Sequence, residues 1–367
     1  MNQNRINKVA KALREQGLDW LALVPSTSMI YLSGIHTHMS ERPIVLFVSK
    51  TGDTGIIIPA LEAMKAESAG VPTENIFAWT DQEGYHGAFA KAAQVLGLNQ
   101  SKIGVEALKM RVLENDMLVE MGRATISHAD NLMDAIRLRK DADEIAAMQK
   151  AVDVAEAAME KFLPTIKIGM TEKELATSLT QMLLNEGGDS MAFGPIVSAG
   201  PENTASPHAV PTDRPIQAGD FLILDWGVYV GDYVSDITRT YAVGEISAEQ
   251  KRIYETVWAS NAAGVAACRP NVTGEAIDRA SRAVIDDAGY GEYFIHRTGH
   301  GLGMEAHEAP SLVEGNSNPL PVGAAFTVEP GIYIPGIGGV RIEDDIILTE
   351  DGYISLTSMS RELRSVG

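Results

Sequence analysis

Four carboxylates in this sequence stand at positions where a buried strand should carry apolar side chains. Asp225 and Asp236 lie within LILDWG and VSDITR, and Glu329 and Glu343 within FTVEPG and VRIEDD. Asp225 and Asp236 are an odd number of residues apart, which suits a two-residue turn at or beside Gly231. Glu329 and Glu343 are an even number apart and need an odd-length loop, which Pro335-Gly336-Ile337-Gly338-Gly339 can supply. Each pair is then expected to share one face of a hairpin. Four carboxylates converging from two strand pairs repel one another and resist ionisation. Bound divalent cations relieve that repulsion. The alternative is an exposed sheet face, against which the apolar flanks Leu222-Ile223-Leu224 and Ile346-Ile347-Leu348 argue.

Histidines supply the other half of the constellation. His208 lies in the polar stretch NTASPHAVP, 17 residues before Asp225. His296, His300 and His307 fall within HRTGHGLGMEAHE, among glycines that let backbone approach a ligand closely. One of them added to four carboxylates makes an oxygen-rich site with one nitrogen. That suits two ions such as Mn(II), Co(II) or Zn(II), and suits copper poorly.

The elements that must position these groups read as two domains. Ile6, Val9, Ala10 and Leu13 have helical spacing, closed by Gly17. Apolar runs at Trp20–Val24, Ile44–Val48 and Gly55–Ile58 follow as buried strands, so residues 1–130 form a small α/β domain. Residues 131–140 are expected as a linker, and 141–367 as an α+β domain opened by a helix from Glu144 to Leu163. This second domain looks duplicated. The capping pairs Asp141/Glu144 and Ser247/Gln250 each precede a long helix, and Thr171 and Thr273 each precede another. Thr171/Thr273, Asp225/Glu329 and Asp236/Glu343 recur at offsets of 102, 104 and 107 residues. Two related halves predict a pseudo-twofold domain with a cleft between them.

Composition narrows the function classes. The 367 residues are 45% hydrophobic, enough for a substantial core, and carry a net charge of −19. That charge disfavours nucleic acid and anionic membranes as partners. A lone cysteine, Cys268, cannot form an internal disulfide or a thiolate zinc site, and is expected buried and inert. No run is long enough to span a bilayer and no secretory signal opens the chain, so a cytoplasmic location is expected.

The series SPHAVPTDRPIQAGDFLILDWG, VSDITRTY, TGHGLGMEAHEAP, TVEPGIYI and GGVRIEDD resembles the pita-bread metallopeptidases, peptidase family M24. The likeness is strongest to the Xaa-Pro branch, the Xaa-Pro aminopeptidases and Xaa-Pro dipeptidases (prolidases). It covers essentially the whole chain and implies a creatinase-like N-terminal domain before the pita-bread domain. It further implies that Asp225 binds one metal, His300 and Glu329 the other, and that Asp236 and Glu343 bridge both. A bridging hydroxide would be the nucleophile, with Glu329 shuttling its proton. His307 and His208 would hold the substrate carbonyl and stabilise the developing oxyanion or leaving group. His296 and Arg341 would line the Xaa-Pro pocket. The cofactor is expected to be two divalent ions per chain, manganese first and cobalt, zinc or iron as alternatives. A homodimer acting on proline-containing peptides is expected.

Some dipeptidases of this branch place an arginine four residues after the histidine matching His307. Here that position is Ser311, which leans toward an aminopeptidase on longer Xaa-Pro-Yaa peptides. Rival readings are a pita-bread hydrolase or lyase acting on a non-peptide small molecule, and a non-catalytic pita-bread binding protein. Complete retention of the five ligand positions argues against a metal-free, creatinase-like form of the first and against the second. The loop Ser33–Pro43, with His36, His38 and Arg42, is either a solvated surface or a segment reaching a catalytic cleft.

Overall fold

A computed structural model describes residues 1–367, which divide into two compact units, Met1–Arg137 and Leu138–Gly367. The first unit is built on one mixed sheet. Its strands are β1 (Trp20–Leu23), β2 (Val45–Ser49), β3 (Thr54–Pro59), β4 (Ile76–Trp79), β5 (Lys102–Val105) and β6 (Thr125–His128). Their spatial order is β4-β3-β2-β1-β5-β6. β1, β2 and β3 pair antiparallel, whereas β3–β4, β1–β5 and β5–β6 are parallel. Every residue of β1, β2 and β3 is buried, as continuous apolar runs require when both faces of a sheet are covered. The helix Gln3–Gln16 buries Ile6, Val9, Ala10 and Leu13 and ends at Gly17 in the left-handed region.

Seven of the ten residues expected as a linker, 131–137, are helical, and the boundary between the units falls after Arg137. Asp130–Arg137 is a helix that buries Leu132 and Met133 and packs on the first helix. Its last residue, Arg137, is buried, with Nη1 3.4 Å from Ser28 Oγ. This first cation of the basic run at 137–140 therefore packs within the first unit. In the loop Ser33–Pro43, Arg42 forms an exposed bidentate pair with Asp81 of the same unit.

The second unit repeats its helical caps as well as its hairpins. Helices Ala142–Phe162, Glu172–Asn185 and Ala248–Ala267 each open with a full capping box, at Asp141/Glu144, Thr171/Glu174 and Ser247/Gln250. Thr273 caps the fourth helix, Gly274–Asp287, through its side chain alone, since Ala276 has no carboxylate to return the bond. Thr171 and Thr273 also make matching isolated bridges, to Pro215 and Pro319.

Two larger sheets carry the bases of the hairpins, whose tips pair in two smaller sheets. One places Ser365–Val366, Ile237–Val243, Phe221–Trp226 and Ile196–Ala199 side by side. The other runs Glu308–Leu312, Gly299–Gly301, Ala325–Val328, Asp344–Thr349 and Gly352–Ser355. In the first hairpin Asp225 faces Thr238, and Val230 faces Tyr233 across the two-residue turn Gly231-Asp232. In the second, Val328 faces Asp344 and Ile334 faces Gly338 across the three-residue loop Pro335-Gly336-Ile337. Both loop lengths match the parity argument. No helix is long and apolar enough to cross a membrane.

Candidate metal centre

The register of the two hairpins decides where the carboxylates meet. Thr238 lies opposite Asp225, so Asp236, two residues earlier, sits diagonal to Asp225 on the same face. Val328↔Asp344 and Gly331↔Arg341 bracket Glu329 and Glu343, which therefore face each other. Side-chain and backbone hydrogen bonds then join the hairpins. Thr238 Oγ1 donates to Glu343 Oε2 at 2.6 Å, and Glu343 N donates to Thr238 O at 3.1 Å. Asp236 N donates to Asp345 Oδ2 at 3.1 Å, and Thr240 Oγ1 donates to Arg341 O at 2.9 Å.

His300 enters from the strand Gly299–Gly301. Its Nε2 lies 3.2 Å from Glu329 Oε1 and 3.7 Å from Asp236 Oδ2. The two flanking glycines are needed for close packing. A Cβ on Gly299 would fall 1.9 Å from Thr327 O, and one on Gly301 would fall 2.0 Å from Ala309 O. Asp236, His300 and Glu343 each offer a ligand atom, and these atoms all lie within 4.8 Å of one another.

The electrostatics of this cluster are unfavourable without a cation. Asp225, Asp236, His300 and Glu343 are buried, and Glu329 is nearly so. Burial pushes the Glu329 carboxyl up to about 7. Burial, then repulsion from neighbouring carboxylates, holds Asp236 and Glu343 well above the usual range. Burial raises Asp225 too, against the pull of Arg341, whose Nη2 donates to its Oδ2 at 2.6 Å. Asp225 Oδ1 is buried without a hydrogen-bond partner. Burial and the neighbouring His307 drop His300 to about 3, so its imidazole is neutral. His300 Nδ1 lies 3.1 Å from the Gly301 carbonyl, an acceptor, which assigns the ring proton to Nδ1. Nε2 then turns a lone pair toward carboxylate oxygens, an arrangement of acceptors facing acceptors. A divalent cation resolves that conflict and also gives the orphaned Asp225 oxygen a partner, so the donor set fits metal.

The remaining candidates surround this centre. His307 is exposed, with its ring centroid 4.2 Å from that of His300. His208 is exposed in a turn, and its electrostatic influence reaches Asp225, His296 and His307. His296 is half-buried and drops to about 4, chiefly through burial, with Nε2 2.9 Å from the Tyr333 hydroxyl. Arg341 also donates to that hydroxyl at 2.9 Å and to the Pro207 carbonyl at 3.1 Å. Cys268 lies away from these groups in a separate apolar cluster, and burial lifts its thiol to about 12.

Three contributors escape a reading that looks only for ligands. Thr238 bridges the hairpins, Tyr333 joins His296 to Arg341, and Asp345 holds the backbone of Asp236. Asp345 is fully buried and raised well above the usual range, mainly by burial. Period-two alternation from Glu343 points to Asp345. Asp344, on the opposite face, is paired with Arg239 and Arg361 at 2.8 Å each.

A duplicated α+β scaffold that clusters buried carboxylates around one neutral imidazole defines a metallohydrolase-type centre. Residues 146–350 match Metallopeptidase family M24, and residues 5–139 match the Creatinase/Prolidase N-terminal domain. The chain is 35% identical over 361 residues to the putative dipeptidase YkvY of Bacillus subtilis, covering 98% of this chain and 99% of that one. Among solved structures it is similar to a prolidase from Thermococcus sibiricus, at 34% identity and TM-score 0.93 with both chains fully covered. It is also similar to a Xaa-Pro dipeptidase from Bacillus anthracis, at 36% identity and TM-score 0.90 with 99% of each covered. The chain belongs to metallopeptidase family M24.

Proposed function

We propose that this enzyme is an exopeptidase that uses two divalent cations, manganese first among them, to hydrolyse the Xaa-Pro bond at the N-terminus of peptides. The observation that carries this reading is the meeting of His300 Nε2 with the Glu329 and Asp236 oxygens inside a buried carboxylate cluster. The names of the prolidase and Xaa-Pro dipeptidase relatives support the choice of substrate. Asp225, Asp236, His300, Glu329 and Glu343 would hold the cations. When bound, these supply Lewis acidity and an acidified water as nucleophile.

The chain's own residues do the rest. Glu329, with Oε1 3.2 Å from His300 Nε2, would carry a proton from the attacking water to the departing nitrogen. A proline nitrogen has no hydrogen of its own, so that delivered proton is needed for departure. Partial desolvation by its neighbours holds His307 below its ordinary value, and its neutral ring can donate to the substrate carbonyl oxygen. His208 would act as a second donor. The His296–Tyr333–Arg341 chain fixes the wall beside Asp225.

The test is turnover of Xaa-Pro peptides after Mn(II) or Co(II) reconstitution, compared with the chelated protein. Metal-restored cleavage is expected, and inertness toward every Xaa-Pro peptide with metal demonstrably bound would defeat the reading. His208→Ala is expected to keep its metals while kcat falls roughly 10²-fold, as removal of an oxyanion donor does. Unchanged kinetics in that variant would remove His208 from the reaction.

A further inference from the structure

Arg297 is a cation beside the metal centre with most of its hydrogen-bonding capacity uncommitted. It is half-buried, and its guanidinium makes one hydrogen bond, from Nη1 to Ser311 Oγ at 3.1 Å, and no ion pair. A guanidinium has five donor hydrogens in a planar fork matched to a carboxylate. The other arginine of the site, Arg341, already makes four hydrogen bonds, to Asp225, Tyr333, Thr238 and Pro207. Arg297 therefore stands out as the available anion partner.

Its position is set by the sheet. Ser311 lies directly opposite His300 in the pairing of Gly299–Gly301 with Glu308–Leu312, so the two side chains share a face. Anchoring to Ser311 Oγ brings the guanidinium to the face that carries His300. Its charge acts on His300, His307 and Glu329 together. Serine at 311 supplies no charge of its own, but it draws one in from residue 297.

The substrate's chemistry matches this placement. In an Xaa-Pro dipeptide the free carboxylate is attached to the carbon next to the scissile nitrogen. It must therefore lie within a few ångströms of the groups that serve that nitrogen. In a longer peptide the same place holds a neutral peptide carbonyl. We infer that Arg297, steadied by Ser311, binds the terminal carboxylate of the proline residue and makes this enzyme prefer Xaa-Pro dipeptides over longer chains. This assignment rests on the Xaa-Pro reading above, and it reverses the lean toward aminopeptidase drawn from Ser311 in the sequence.

The experiment compares one Xaa-Pro dipeptide with its C-terminal amide and with an Xaa-Pro-Yaa tripeptide, on the Mn(II)-loaded enzyme. Wild type is expected to favour the free acid in kcat/KM. Arg297→Met should lose about 10- to 100-fold on the acid, mainly through KM, the scale of a hydrogen-bonded charge pair. The amide and tripeptide should change less than about threefold on that scale. Arg297→Lys should recover part of the loss, because charge returns without the fork. Calorimetric binding of an uncleavable reduced-bond Xaa-Pro analogue, as acid and as amide, gives the same comparison without turnover. Equal loss on acid and amide, or wild type indifferent between them, overturns the carboxylate assignment and leaves the Xaa-Pro reading intact. No cleavage of any of the three substrates by metal-loaded wild type overturns both.

Discussion

Asp236→Ala is expected to lose both bound metal and roughly 10³-fold or more in kcat/KM, the scale of several kcal/mol of lost Lewis-acid stabilisation. His300→Ala is expected to do the same. Asp236 sits where the two hairpins meet, 3.7 Å from His300 Nε2, with its backbone held by Asp345. Removing its carboxylate deletes a ligand atom but breaks none of the bonds Thr238 and Thr240 make between the hairpins. The fold should survive. Asp236→Asn sharpens the comparison by keeping the shape and removing the charge. Because the buried charge is resisted by Glu343 and Asp225, the metal-free Asn variant should be at least as stable as metal-free wild type. Metal content by elemental analysis, kcat/KM and the thermal midpoint decide the matter together. Full activity in Asp236→Ala would remove it from the metal site.

The hairpin geometry was legible because strand parity is a local property. Separation between Asp225 and Asp236, or between Glu329 and Glu343, fixes loop parity, and the loops at Gly231-Asp232 and Pro335–Ile337 comply. The caps were legible for the same reason, since Asp141/Glu144 and Ser247/Gln250 act within one helical turn. What stayed hidden depends on contacts between distant segments. Thr238 to Glu343 and Asp236 to Asp345 span more than a hundred residues, and no local pattern announces either bond. Arg297 has no local pattern to mark it, since its side chain takes its direction from Ser311, fourteen residues on. The helix Asp130–Arg137 was missed because its eight residues offer barely two turns of periodicity, and because its terminal arginine is buried against expectation.

Metal uptake is expected to release protons and to tighten with pH, by about tenfold per pH unit for each proton displaced. Carboxylate ligands bind cations in the ionised form, whereas burial holds Glu329 protonated up to about 7 and Asp236 and Glu343 well above the usual range. His300, neutral down to about 3, contributes no proton in this range. The same shifts set the stability of the metal-free protein. An acid whose folded value lies above its unfolded value stabilises fully below the unfolded value, and that contribution is lost as pH rises through the folded one. Glu329, Asp236, Glu343 and Asp345 all act in this sense. His296 and His300, lowered from 6.5 to about 4 and about 3, act oppositely, and their contribution is complete once pH exceeds 6.5. Above that point the acids act unopposed. The thermal midpoint of metal-free protein should therefore fall from pH 6.5 to 8, while the Mn(II)-loaded protein changes less because its carboxylates are already ionised and paired. Calorimetric titration of Mn(II) in two buffers of different ionisation enthalpy counts the protons directly. A count of zero at pH 7, with a metal-free midpoint that rises over the same interval, would mean that the carboxylates are not gathered in a buried site.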